Sequence, residues 1–132
     1  MSVIIQWFPG HMAKALRQFK QNLHSVDIIF ELVDARCPQS SINPEIKKIG
    51  ANKPHLLIMT KADLANPQLT TRWLHFFRHH GYYAIAINGR EKVHPHKLAQ
   101  LSRQILKPQL VHQHQRGVLN HPVRAVCVGV PN

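Results

Sequence analysis

Four short apolar runs limit what this chain can become. Asp27–Asp34 (DIIFELVD), His55–Thr60 (HLLIMT), Tyr82–Ile87 (YYAIAI) and Val123–Val130 (VRAVCVGV) are nearly continuous in apolar residues. Runs of this length without alternation read as strands buried on both faces, the habit of parallel sheets. Parallel neighbours need a crossover connection, and the stretches between the runs carry helical periods. His11–Ser25 places Met12, Leu16, Phe19 and Leu23 on one stripe, with Lys14, Arg17 and Lys20 on other faces. Asn43-Pro44-Glu45 reads as a helix start: a capping side chain, a proline in the first turn and an acid near the positive dipole end. Gly50 reads as the stop of that helix. Pro67–His80 places Leu69, Trp73, Phe76 and Phe77 on one side, and Gly81 ends it. Pro95–Leu106 is a further helix, with Leu98, Leu101 and Ile105 in register. Lys107–Pro122 is polar, His-rich and without a clear period, and is expected to be a linker. The alternation predicts an α/β fold in one domain over residues 1–132: three layers, right-handed crossovers and a mostly parallel sheet of about four strands.

Charge narrows the function. The chain holds 17 Lys+Arg against 6 Asp+Glu, a formal net charge of +11. A domain this basic expects a polyanion: nucleic acid, an anionic membrane or a phosphate-rich ligand. Solubility alone is the blander account. No apolar run approaches the roughly 18 residues of a membrane span, and Met1–Gly10 lacks the zones of a signal peptide. Cys37 and Cys127 are far apart, in no C-x-x-C pattern, which suits a reducing cytosol; a cytoplasmic location and no membrane partner are expected. Cys127, inside an apolar run, reads as core filler. The histidine pairs His112-x-His114 and His79-His80 have no Cys or carboxylate at ligand spacing, so no metal site is expected. There is no G-x-S-x-G and no paired carboxylate arrangement for hydrolysis.

In open α/β sheets ligands bind beyond the carboxyl ends of the strands. Thr60-Lys61-Ala62-Asp63 follows one strand. A carboxylate there can accept two hydrogen bonds, from the N1–H and the exocyclic amine of guanine, and adenine offers no such pair. The aliphatic stem of Lys61 can cover the base and ribose. Taken alone, K-x-D is a weak signal, and a loop lysine with a capping aspartate fits it better. Asn88-Gly89 ends the next strand: either an ordinary turn, or a place where backbone N–H groups reach a ligand. Gly129-Val130-Pro131-Asn132 begins like G-x-x-x-x-G-K-[ST], the phosphate-cradling loop, but the chain ends before the second glycine, the lysine and the hydroxyl residue. Asp34-Ala35-Arg36-Cys37-Pro38 lies after the first strand and joins a charge pair to hydroxyls and prolines. His11 stands at a helix start after Trp7-Phe8-Pro9-Gly10, where the dipole favours a neutral imidazole.

Together the motifs are more specific than apart. QWFPGHMAKA (Gln6–Ala15), DARCPQSSINP (Asp34–Pro44), TKAD (Thr60–Asp63) and VGVPN (Val128–Asn132) resemble the circularly permuted GTPases of ribosome assembly, in which the base-reading motif precedes the phosphate loop. The resemblance runs along the whole chain. It implies a partial, permuted P-loop-GTPase-like (Rossmann-like) fold, and binding of GTP or GDP. It also implies partnership with the large ribosomal subunit and its rRNA. Lys61 and Asp63 match the base reader, with Thr60 where asparagine is usual. Asn88 and Gly89 fall at the second base-contacting loop, and Gly129, Val130, Pro131 and Asn132 at the start of the phosphate loop. His11 becomes a candidate for orienting the attacking water. Mg²⁺ is expected only where the phosphate loop is complete, and hydrolysis by this truncated chain alone is not expected. Lys14, Arg17, Lys20, Arg116 and Arg124 are the candidate RNA contacts. The last strand, lacking a neighbour on one side, invites self-association. The alternative is a basic RNA-binding module without nucleotide turnover.

Overall fold

The computed structural model describes residues 9–88, 95–117 and 122–129, with side chains from Ala13 onward. Helix α1 (Pro9–Asn22) runs through a 3-10 turn at Leu23–Ser25 into strand β1 (Ile28–Asp34). Two short helices, α2 (Pro38–Ser41) and α3 (Pro44–Ile49), lead to β2 (His55–Thr60). A 3-10 turn at Ala62–Leu64 and helix α4 (Pro67–His79) lead to β3 (Tyr83–Ala86). Helices α5 (Pro95–Ile105) and α6 (Lys107–Gln115) precede β4 (Ala125–Gly129). The sheet order is β3-β2-β1-β4, and every pair is parallel. β1 is therefore paired on both edges, with Phe30 opposite Leu56 on one side and Cys127 on the other. The chain winds outward from β1 to β3 and then returns to the opposite side of β1. This creates a topological switch point between the carboxyl ends of β1 and β4.

The local signals act as expected at most boundaries. The Asn43 side chain accepts from the backbone N–H of Glu45 at 3.0 Å, and that of Asn66 accepts from Gln68 and Leu69 at 2.9 and 3.2 Å. Each cap precedes a proline in the first turn. Gly81, at φ +88°, ends α4 in the left-handed region that glycine enters freely. Gly50 works differently. Its φ is −94°, which any residue adopts, but a Cβ there would collide with Ile29 Cδ1 and crowd His55 Nε2 at 3.1 Å. Glycine is needed at that position for packing.

The sheet is covered on both faces. One face joins Phe19, Ile29 and Ile46, and next to them Val33, Leu57, Met59, Phe77 and Ala84. The other joins Ile28, Leu56, Ile58 and Leu106, with Leu98, Ile105 and Leu110 from α5 and α6 against them. No helix among the described residues is long and apolar enough to cross a membrane.

Three expectations are corrected. The first half of the supposed linker is helix α6: Pro108 sits in its first turn, and Gly117, at φ +87°, follows its end. Its apolar period is faint because Leu110 packs inward while Val111 is 47% exposed. On α4 the buried stripe is Thr70 and Phe77 with Trp73 and Leu74 between them, and Leu69 and Phe76 face outward. Aromatic residues on adjacent faces had hidden that rotation. Cys127 is exposed, because β4 is an edge strand and the helices do not extend over that side chain.

One core residue runs against composition. Glu31, in the middle of β1, is only 2% exposed, and neither carboxylate oxygen has a hydrogen-bond partner. Burial raises its pKa from 4.5 to about 7, against the opposing pull of Lys47 and of the Asn43 backbone. The folded state therefore holds this proton more tightly than the unfolded chain. Stability from the protonated form is complete below about pH 4.5 and declines as pH rises to about 7. Glu31→Gln is expected to flatten that decline and to raise stability at about pH 8 by at most about 3 kcal/mol, with little change at about pH 4. Urea denaturation across a pH series checks it; parallel curves for the two proteins would refute it.

Candidate functional site

The carboxyl ends of the four strands gather most of the residues singled out by sequence. β1 ends at Asp34, whose side chain is 4% exposed. Arg36 donates to it twice, Nε to Oδ1 at 3.0 Å and Nη2 to Oδ2 at 2.7 Å, and the Arg36 backbone N–H donates to Oδ1 at 2.9 Å. Two parallel guanidinium bonds fix orientation as well as charge. Arg36's hydrogen bond holds the Asp34 carboxyl well below its usual range, at about 2, and the charges of Arg36 and Lys61 add to this. The loop behind is braced through Ser41: its hydroxyl donates to the Cys37 carbonyl at 2.8 Å and accepts from the Asp34 N–H at 3.3 Å.

β2 delivers the K-x-D segment to the same edge. The Ala35 N–H donates to the Thr60 carbonyl at 2.8 Å, and the Thr60 hydroxyl donates to the Val33 carbonyl at 3.1 Å. Thr60 thus ties the segment to β1, a bracing role that a hydroxyl fills without the reach of asparagine. Lys61 adopts φ +59°, the only non-glycine residue with positive φ among the described residues. That conformation costs a non-glycine residue about 1 kcal/mol or more and persists only where its surroundings hold it. Here the hold is visible: Lys61 Nζ stands 3.9 Å from Asp34 Oδ2, and the next residue, Ala62, donates its N–H to the Ile87 carbonyl at 3.1 Å. The kink turns the following 3-10 segment so that Asp63 is exposed at the sheet edge.

The link from Ala62 to Ile87 joins the loops after β2 and β3. Ile87 in turn donates to the Met59 carbonyl at 2.8 Å, and half-buried Asn88 follows directly. Gly129 closes β4 opposite Leu32, and a Cβ on it would meet the Leu32 carbonyl oxygen at 3.0 Å. Glycine allows the backbone to pass close to β1 at the switch point. Thr60, Lys61, Asp63, Asn88 and Gly129 are thus brought to one edge. Gly89, Val130, Pro131 and Asn132 lie outside the described residues, as does the side chain of His11, whose backbone is in the first turn of α1.

The basic candidates do not form one cluster. Lys14, Arg17 and Lys20 are exposed along α1, Arg116 follows α6, and Arg124 precedes β4, where its N–H donates to Asp27 Oδ2 at 2.9 Å. The functional member that the motif reading left without a role is Asp34. Its signal was present in the sequence: a carboxylate ending a buried strand, two residues before an arginine.

Known proteins resemble the chain along most of its length. No family profile matches the chain. It is 43% identical over 129 residues to ribosome biogenesis GTPase A of Priestia megaterium, covering 97% of this chain and 45% of that protein. It is 41% identical over 130 residues to ribosome biogenesis GTPase A of Bacillus cereus, covering 98% of this chain and 44% of that protein. Its fold matches the crystal structure of GNP-bound YlqF from T. maritima with a TM-score of 0.58 and 26% identity, over 90% of this chain and 43% of that one. The chain spans somewhat under half the length of the relatives it matches.

Asp34→Ala should remove the brace on both Arg36 and Lys61. A loss of about 1 kcal/mol is expected, small because Arg36 is half-exposed and rehydrates. Since folding depresses the Asp34 pKa, its contribution is present above about pH 4 and fades as pH falls toward 2. The gap between Asp34→Ala and the parent in thermal denaturation should therefore narrow between about pH 5 and pH 2.5. A gap that stays constant or widens would contradict the brace.

Proposed function

We propose that this chain, a homologue of the ribosome biogenesis GTPases A along nearly its whole length, is the guanine-recognising part of a ribosome-assembly GTPase. The observation that carries the reading is the K-x-D loop at the switch-point edge. Lys61 is held in a left-handed kink by Asp34 and by the loop after β3. Asp63 is the acceptor for the N1–H and exocyclic amine of guanine, and Lys61 lays its alkyl stem along the base. Asn88 and Gly89 supply the second wall, from which a backbone N–H donates to the guanine O6. Gly129 opens the phosphate loop, with Val130, Pro131 and Asn132 continuing it. GTP and GDP are the ligands.

Phosphoryl transfer depends almost wholly on positioning and on stabilising charge. In the family it resembles, the phosphate-loop lysine and the hydroxyl that holds Mg²⁺ come after G-x-P-N. Hydrolysis is therefore assigned to a chain that includes those groups. His11 is assigned the orientation of the attacking water, as a neutral imidazole in the first turn of α1. The partner is the large ribosomal subunit and its rRNA in the cytoplasm, met by Lys14, Arg17, Lys20, Arg116 and Arg124.

An RNA-binding module without nucleotide turnover is the second reading, favoured by the run of exposed cations on α1. The base-reading carboxylate discriminates the two. Asp63→Asn replaces an acceptor by a donor and matches xanthine, which carries an oxygen where guanine has its amine. In this chain, or in one continued through a complete phosphate loop, preference should move from guanine to xanthine nucleotides by at least tenfold. Titration with fluorescent GDP and XDP measures it. An unchanged ratio, or no guanine binding by either protein, would refute the assignment of Asp63.

The outer edge of β4 carries no strand among the described residues, and it presents exposed Cys127 between half-buried Val126 and Val128. Strand pairing there is opposed by the net charge of +11. Light scattering should register monomer at low salt and dimer or larger species at high salt. A sharp monomer throughout, with 125–129 strongly protected from hydrogen exchange, would show that the edge is covered.

A further inference from the structure

The opposite edge of the sheet, at the amino ends of the strands, holds a concavity of about 260 Å³. Lys47, Lys53, His55, His80, Tyr82 and Tyr83 line it, and none of its lining residues is acidic. We propose that this concavity is a binding site for one nucleotide of single-stranded RNA, with the phosphate at Lys53 and the base against Tyr83. The inference rests on the reading of the chain as a ribosome-assembly factor, and concerns a surface separate from the guanine edge.

The groups present match that ligand chemically. Tyr83 is 51% exposed, and Phe76 beside the rim is 42% exposed with its ring 4.2 Å from that of His80. Exposed aromatic rings next to cations are the platform on which unpaired bases stack, and a stacked base needs no particular sequence. The imidazoles are pre-oriented. The Nε2 of His55 lies 3.0 Å from the Gly50 carbonyl, and only an N–H on that nitrogen makes the contact a hydrogen bond. The same argument puts a proton on His80 Nδ1, 2.8 Å from the Phe76 carbonyl. With its Nε2–H on the Gly50 carbonyl, His55 Nδ1 is a buried acceptor without a partner, one that a hydroxyl or N–H of the nucleotide's sugar or base can answer and its phosphate cannot.

The opposing terms are weaker. The carboxyl end of α4 repels an anion, but its last carbonyls accept from the His80 N–H and ring, and from the Gly81 and Tyr82 N–H groups. Glu31 lies behind Lys47 and Tyr82, buried and with its pKa raised to about 7. Lys47 rests its ammonium 4.7 Å from the Tyr82 ring centroid, which makes it part of the wall. Arg78 is engaged by the Ala84 carbonyl and is not part of the site. The volume is close to the lower end for small-ligand pockets, about 300 Å³, enough for one nucleotide and too small for a duplex.

The test uses the 132-residue chain and a fluorescent 12-nucleotide oligouridylate, followed by anisotropy over a salt series. Tyr83→Ala should weaken binding about tenfold and Tyr83→Phe should leave it near the parent, since the ring and not the hydroxyl stacks. Lys53→Ala should weaken binding and reduce the slope of log affinity against log salt by about 0.7, one phosphate contact. Circular dichroism confirms that each variant is folded, and GDP titration should be unchanged in all three. Loss of GDP binding by the parent would indict the guanine assignment and leave this one standing. Equal affinity of parent, Tyr83→Ala and Lys53→Ala would overturn the site. So would equal binding of a duplex, or displacement of the RNA by polyglutamate at equal charge, which would indicate an acidic protein partner.

Discussion

A strand paired in parallel on both edges and covered on both faces has no water for its backbone or its side chains. β1 is such a strand, and it bears on every other part of the fold. Its backbone is satisfied only by β2 and β4, so those two strands must come to it from opposite directions in the winding order. That requirement makes the reversal of connectivity, and the reversal makes the crevice at the carboxyl edge. Its side chains need apolar layers on each side, supplied by α1, α3 and α4 on one face and by α5 and α6 on the other. The two carboxylates on this strand show how sharply the environment changes along it. Glu31, in the middle, is desolvated and pushed toward the neutral form; Asp34, three residues later at the edge, meets a guanidinium and is held ionised.

Asp34 carries the order of β1 into the loops. It is the point where a buried strand can first afford a charge, because a bidentate arginine is there to answer it. The same carboxylate faces Lys61, whose backbone is in a region that side chains disfavour. A strained residue needs restraint from several directions. Asp34 restrains its side chain, Thr60 the preceding residue, and the Ala62 to Ile87 bond the following one. The loops after β1, β2 and β3 are thereby one braced unit, and Asp63 projects from it. Pre-organisation of this kind lowers the ordering cost of binding, so it bears on affinity as well as on specificity.

Much of this was legible in the sequence because the signals were local. The four apolar runs became the four strands, and Asn43, Asn66 and Gly81 mark boundaries by hydrogen bonds and φ values that act over a few residues. What was not legible depended on neighbours distant in the chain. Gly50 looked like a helix stop, but its need for a missing Cβ comes from Ile29 and His55. The inward stripe of α4 could not be picked from Leu69, Thr70, Trp73, Phe76 and Phe77 without knowing which residues β3 and the 3-10 turn would cover. α6 shows almost no apolar period because only Leu110 reaches the core. Glu31 passed as one acid in an apolar run, and its burial follows from double pairing of the strand. The motif residues at the carboxyl edge were singled out by their place after apolar runs together with the family resemblance. The amino-edge concavity was not, because its lining comes from two separate segments, 47–55 and 80–83, that form no motif.

The distribution of the few acids bears on how the two proposed edges for anionic ligands are kept apart. Asp27 accepts from the Arg124 backbone, Glu31 is buried, Asp34 is bound by Arg36, and Glu45 faces Lys48 at 3.7 Å. Four of the six carboxylates are thus spent inside the fold or on near neighbours, which leaves most of the cations uncompensated on the surface. A surplus of cations cannot by itself tell one anion from another. Discrimination has to come from short-range groups. On the proposed reading, the group at the carboxyl edge is Asp63, a carboxylate that repels phosphate and suits a base with two adjacent donors. At the amino edge the proposed group is Tyr83, whose exposed face takes any base but requires it to be unstacked. On these two proposals, the shared surplus of cations brings either ligand in, and opposite kinds of local chemistry decide which edge keeps it.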